Sequence, residues 1–128
     1  MEGKSQLNVN ENGARWEFSN WSGTDTLSNN GILSYTSTSD NVLLAGLTLE
    51  NNGTLNLRPN SFLDLFSIQG VLLNNGVIDI QDDCVIGGSG TFLNNGSIIK
   101  SGGNGTSSIN MMLPESGNIQ VQIGTLKL

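Results

Sequence analysis

Aliphatic side chains recur along this chain at fixed offsets from a repeated glycine, and polar residues fall between them. Two residues after successive glycines stand Leu33, Leu55, Ile78, Ile98 and Ile119, and four residues before them Leu27, Leu49, Leu72, Phe92 and Leu113. Four residues after the glycine come Tyr35, Leu57, Ile80, Lys100 and Val121. Ser34, Asn56, Asp79 and Gln120 separate the +2 and +4 positions, with Ile99 as the apolar exception. This period of two marks a strand with one face buried, because successive side chains point to opposite faces. A second strand leads into the glycine (Val71-Leu72-Leu73, Thr91-Phe92-Leu93). A third falls midway, at Val42-Leu43-Leu44 and Phe62-Leu63-Asp64-Leu65.

The glycines belong to Asn-Asn-Gly at Asn29-Asn30-Gly31, Asn51-Asn52-Gly53, Asn74-Asn75-Gly76 and Asn94-Asn95-Gly96, with weaker copies at Glu11-Asn12-Gly13 and Glu115-Ser116-Gly117. Their spacings are 18, 22, 23, 20 and 21 residues, far from the heptad or the longer helical repeats. Three strands in each such interval predict an all-β fold: a right-handed parallel β-helix (β-solenoid) of five to six coils of 20–23 residues. Neighbouring coils would pair in parallel at ~4.8 Å. A left-handed hexapeptide helix would need strict six-residue spacing, which the unequal intervals deny. Gly31, Gly53, Gly76 and Gly96 are expected at corners needing φ > 0. Asn30, Asn52, Asn75 and Asn95, stacked at one corner, are expected to form an amide ladder.

The organisation expected is one domain. Residues 1–26 would form an N-terminal segment with an aromatic cap of Trp16, Phe18 and Trp21, and residues 27–128 the solenoid repeats. Terminal repeats must close an exposed core. At Gly124-Thr125-Leu126-Lys127-Leu128 no cap is legible; an open parallel edge there invites pairing, so the expectation is either a segment cut from a longer solenoid or an edge covered by self-association. Lys100 breaks the inward pattern. Since an unpaired buried ammonium is costly, the strand is expected to end at Ile99 and the lysine to turn outward.

Composition narrows the chemistry. A net charge of −6, a pI near 4.2 and five scattered basic residues argue against nucleic acid and against an anionic membrane surface. The longest apolar stretch, Val42 to Leu49, is too short to insert as a spanning helix. Histidine is absent and Cys84 is the single cysteine, so a His-dependent triad, an intrachain disulfide and a Cys-based metal site are excluded. Cys84, opening a strand with Ile86, reads as inert core. Asp79, Asp82 and Asp83 form the densest acidic cluster and are the weak candidates for Ca²⁺ or sugar. No basic residue sits at a matching offset beside them, and Asp82-Asp83 reads as a solvated turn. Gly87-Gly88-Ser89-Gly90 and Gly102-Gly103-Asn104-Gly105 echo a calcium-binding nonapeptide without its aspartate, and read as flexible corners. No metal, cofactor or catalytic constellation is expected.

The run Thr91-Phe92-Leu93-Asn94-Asn95-Gly96-Ser97-Ile98-Ile99-Lys100-Ser101-Gly102-Gly103-Asn104-Gly105-Thr106-Ser107-Ser108-Ile109, the phrase Ser116 to Leu128, and Asn20-Trp21-Ser22-Gly23 resemble the β-helical repeat regions of bacterial secreted surface proteins. These are the adhesin and autotransporter-like passengers. The resemblance implies an extracellular, cell-surface, non-enzymatic structural or adhesive segment, possible partners being carbohydrate or a surface protein. The outward row Ser34, Asn56, Asp79 and Gln120 is the expected contact surface. Two rivals are a fragment of a polysaccharide-processing β-helix (lyase or phage tailspike type), which would need a base and a groove, and an ice-binding solenoid, which would need a threonine ladder. The row Ala14, Ile32, Thr54, Val77, Ser97, Asn118 is no such ladder.

Overall fold

A computed structural model of the protein describes residues 8–9, 14–16, 20–21, 26–35, 41–43, 48–58, 65–113 and 117–128. All regular structure among them is β. In chain order the strands are β1 (Asn8–Val9), β2 (Ala14–Trp16), β3 (Asn20–Trp21), β4 (Thr26–Asn29), β5 (Ile32–Tyr35), β6 (Asn41–Leu43), β7 (Thr48–Asn51), β8 (Thr54–Leu57) and β9 (Leu65–Ile68). They continue as β10 (Val71–Asn74), β11 (Val77–Ile80), β12 (Val85–Gly87), β13 (Thr91–Asn94), β14 (Ser97–Lys100), β15 (Thr106–Ile109), β16 (Asn118–Val121) and β17 (Thr125–Lys127).

Each strand pairs in parallel with strands three positions away in this order, or two where β14 meets β16 and β15 meets β17. The result is three parallel sheets. The first holds five strands (β1-β4-β7-β10-β13), the second six (β2-β5-β8-β11-β14-β16) and the third six (β3-β6-β9-β12-β15-β17). This is a β-solenoid with three strands per coil. Leu33, Leu55, Ile78, Ile98 and Ile119 occupy one register column of the second sheet, as the +2 spacing predicts. Leu27, Leu49, Leu72 and Phe92 stack likewise in the first.

These columns are the core, joined by Leu57, Ile68, Ile80, Cys84, Ile86 and Ile109. Each fully buried Leu or Ile contributes roughly 1.5–3 kcal/mol relative to an exposed one, so stacking neighbours supplies the stability that no single coil has. Two predicted core residues depart from this. Ile119 is in register yet 42% exposed, because among the described residues no coil lies beyond it; Leu113 is only partly buried against the cluster.

The corner glycines are explained by crowding rather than dihedral angle. The described glycines at positive φ are Gly88, Gly103, Gly117 and Gly124, so the expectation of φ > 0 at Gly31, Gly53, Gly76 and Gly96 is corrected. A Cβ on Gly53, Gly76 or Gly96 would lie 2.1 Å from the carbonyl oxygen of the matching glycine one coil earlier. Backbone N–H groups reach back across this contact, as in Val77 N to Gly53 O at 2.8 Å. Coils stack this closely only where the later corner residue carries no Cβ.

The middle strand expected at Phe62–Leu65 is described from Leu65 onward, as β9; Phe62–Asp64 lie outside the described residues. The predicted aromatic cap also falls largely outside them. Trp16 and Trp21 are placed by backbone alone, in β2 and β3, and Phe18 is not described.

Candidate functional site

Three polar arrangements are built by the stacking. The first is a buried ladder on the inner side of the Asn-Asn-Gly corner. Asn29 Nδ2 donates to Asn51 Oδ1 (2.7 Å), Asn51 Nδ2 to Asn74 Oδ1 (2.8 Å) and Asn74 Nδ2 to Asn94 Oδ1 (2.8 Å). The same amides donate to the first backbone carbonyl of the second-sheet strand one coil later, Thr54 O, Val77 O and Ser97 O, at 2.9–3.1 Å. All four asparagines are 0% exposed, and a buried amide is tolerated only when so satisfied. The expected row is present too, as an outer ladder: Asn52 to Asn30 (3.2 Å), Asn75 to Asn52 (2.9 Å) and Asn95 to Asn75 (3.3 Å), all exposed. The inner row was missed by sequence reasoning although its signal was present. The period of two that places Leu72 inside and Leu73 outside places Asn74 inside.

The second arrangement surrounds Lys100. The strand does not end at Ile99. Lys100 closes β14 at the inward position paired with Ile80, and its side chain is wholly buried. This corrects the outward expectation, and the reason is a ready-made oxygen cage. Lys100 Nζ donates to Asp83 Oδ1 (2.8 Å), Gly102 O (2.6 Å) and Gly103 O (2.8 Å), which uses its three donors. Asp83 Oδ2 accepts from Gly105 N at 2.9 Å. A Cβ on Gly103 or Gly105 would run into this carboxylate at 2.3 or 2.5 Å. The Gly102–Gly105 corner is therefore shaped to hold an ion pair, not a loose loop.

Asp82 is exposed, as a solvated turn predicts, but Asp83, with its side chain 20% exposed, is not part of one. The hydrogen bond from Lys100 holds the Asp83 carboxyl below its usual range, assisted by Gly105 N–H and the lysine charge and opposed by desolvation.

The third arrangement is the outer face of the second sheet. Ser34, Asn56 and Asp79 stand in adjacent register, and Gln120 follows after Ile99, so all four predicted contact residues share one row. The row is partly self-bonded. Asn56 Nδ2 donates to Ser34 Oγ (3.4 Å), Gln81 Nε2 to Asp79 Oδ2 (3.0 Å), and Ser101 Oγ makes a short bond to Asp79 Oδ1. Arg58 Nε donates onward to Gln81 Oε1 at 3.1 Å.

The acidic cluster is dispersed by the fold. Asp79 faces this outer row, Asp83 turns to Lys100, and Asp82 Oδ1 accepts from Asp83 N at 2.8 Å. Among the described residues no three of His, Cys, Asp and Glu gather to hold a metal.

Cys84 is buried beside Ser107, whose Oγ accepts from Cys84 N at 3.1 Å. Desolvation pushes its thiol up to about 12, so the reactive thiolate is scarce at neutral pH. A thiol-specific disulfide reagent at pH 8 is expected to leave the folded protein unlabelled and to label one thiol per chain in denaturant. Rapid labelling of the folded chain would contradict this burial.

Comparisons with protein families, with curated proteins and with solved structures find no match to the chain.

Proposed function

We propose that the protein is a non-catalytic structural and adhesive solenoid segment of a secreted bacterial surface protein, contacting carbohydrate through the outer face of its second sheet. The observation that carries this reading is the in-register row of Ser34, Asn56, Asp79 and Gln120. It lies on a rigid stack whose buried polar groups are already satisfied within the fold. A row of hydroxyl, amide and carboxylate groups at the ~4.8 Å strand spacing from Ser34 to Asp79, resumed at Gln120 beyond Ile99, suits a polymer of hydroxyl-bearing units. A carboxylate keeps lone pairs for further donors when two are occupied, so Asp79 remains able to accept from sugar hydroxyls. The cell-surface placement rests on the resemblance of the Asn-Asn-Gly and Gly-Thr-Leu phrases to passenger repeats.

The test is a glycan array with the intact chain, the Asn56→Ala/Asp79→Ala variant and an Asn104→Ala control. Binding by the wild type and the control, lost at least tenfold in the double variant, is the expected result. Equal binding by all three, or none by any, rejects the carbohydrate-contacting row.

A further inference from the structure

Six asparagines in this chain precede a glycine, and in five of these pairs both residues are described: Asn30-Gly31, Asn52-Gly53, Asn75-Gly76, Asn95-Gly96 and Asn104-Gly105. Asn-Gly is the sequence most prone to spontaneous deamidation, because glycine has no side chain to hinder its own nitrogen from attacking the asparagine amide. The attack has structural requirements. The side-chain amide must swing over the following nitrogen, and that nitrogen must lose its proton to solvent base. Hydrogen bonds that hold either group in place oppose the reaction.

At the Asn-Asn-Gly corners both groups are held. The Asn75 amide is bonded at each end, donating to Asn52 (2.9 Å) and accepting from Asn95 (3.3 Å), and Asn30 accepts from Asn52 in the same outer ladder. The half-buried glycines donate to backbone carbonyls one coil earlier: Gly53 N to Asn29 O and Gly76 N to Asn51 O at 2.9 Å, and Gly96 N to Asn74 O at 3.0 Å. Gly31 N donates to Asn29 Oδ1 at 3.2 Å. Asn104-Gly105 differs on every count. Both residues are exposed, and the Asn104 amide has no hydrogen-bond partner among the described residues. Gly105 N donates to a side chain, Asp83 Oδ2 at 2.9 Å, in a bond open to solvent. The pair lies between coils, since Thr125 N of the following one donates to Gly105 O at 2.9 Å.

We propose that Asn104 is a site of spontaneous deamidation in the folded protein, and that the outer asparagine ladder keeps the corner pairs unreactive. In the step, Gly105 N gives up its proton to solvent base and bonds to Asn104 Cγ. The Cγ–Nδ2 bond breaks, and ammonia leaves with a proton returned from solvent. Water then opens the cyclic imide at either carbonyl, leaving aspartate or isoaspartate. The product bears on the ion pair beside it. Isoaspartate lengthens the backbone between Gly103 O, which accepts from Lys100 Nζ, and Gly105 N, which donates to Asp83 Oδ2. Either product also adds a carboxylate to the corner that holds Asp83.

The test incubates the intact chain at pH 8, folded and in urea, and follows each Asn-Gly pair by proteolytic peptide mapping with mass spectrometry. In the folded chain Asn104 should convert at least about fivefold faster than Asn52, Asn75 or Asn95, the scale of one lost hydrogen bond. In urea the four rates should converge. Asn52→Ala/Asn95→Ala frees both ends of the Asn75 amide while leaving the buried ladder intact. This variant should convert faster at Asn75 and at an unchanged rate at Asn104. Similar rates at all four sites in the folded wild type, or a ladder pair outpacing Asn104, overturn the proposal. So does a variant in which Asn75 gains nothing, or gains only what Asn104 gains with it.

Discussion

Replacing Asn74 by alanine is expected to lower the unfolding free energy by about 3 kcal/mol, while the same change at its neighbour Asn75 costs under about 1 kcal/mol. Both belong to the same Asn-Asn-Gly corner and both sit in ladders, so residue type and local turn chemistry are matched. Burial is the difference. Asn74 is wholly buried and bonded at both ends, accepting from Asn51 and donating to Asn94 and Ser97 O. Its loss leaves Ser97 O and the buried amides above and below with fewer partners in a medium where water cannot replace them. Asn75 is exposed, and its bond to Asn52 (2.9 Å) exchanges readily with solvent. Urea unfolding followed by circular dichroism separates the two. Equal midpoint shifts would mean that the inner ladder adds nothing beyond an ordinary exposed amide bond. Against a total stability of roughly 5–15 kcal/mol for a typical domain, the Asn74 effect is large enough to threaten the coils on either side.

Lys100→Met is expected to cost about 3 kcal/mol, the low end for removing one member of a buried pair. The low end applies because Asp83 keeps one-fifth of its side chain in water. The methionine restores apolar contacts but leaves the carbonyls of Gly102 and Gly103 without their donor. For that reason Lys100→Met/Asp83→Asn should recover only part of the loss, and the double-mutant cycle reads the coupling directly. The pH dependence has a definite sign. The hydrogen bond from Lys100 holds the folded-state pKa of Asp83 below the ordinary aspartate value. Its contribution is therefore present above the unfolded value and is lost as pH falls through the lower, folded one. Urea midpoints between pH 6 and 2 should fall less steeply for Asp83→Asn than for the wild type at the acid end of that range. Parallel curves would show that the carboxylate does not feel the lysine.

The repeat was the most legible feature because it is written twice, once in apolar spacing and once in corner residues. Leu33, Leu55, Ile78 and Ile98 could be placed one above another from offsets alone, and they stack in that register. The outward row from Ser34 to Gln120 followed from the same parity. Parity also places Asn74 inward, against the turn propensity of its residue type, and burial follows parity. At Lys100 the general cost of burying an ammonium was set against parity, and parity won.

Local sequence thus determined the period, the strand faces and the corners, since each depends on residues a few positions apart and on the strict alternation of a β-strand. Tertiary structure alone decided which polar groups meet. Asp83 lies 17 residues before Lys100, in the preceding coil. Asn51 and Asn74 are 23 residues apart. The glycine of each corner answers to a carbonyl one full turn earlier. Such contacts are created when coils close upon one another, and their energies come from exclusion of water between coils, which no segment of a single coil produces by itself.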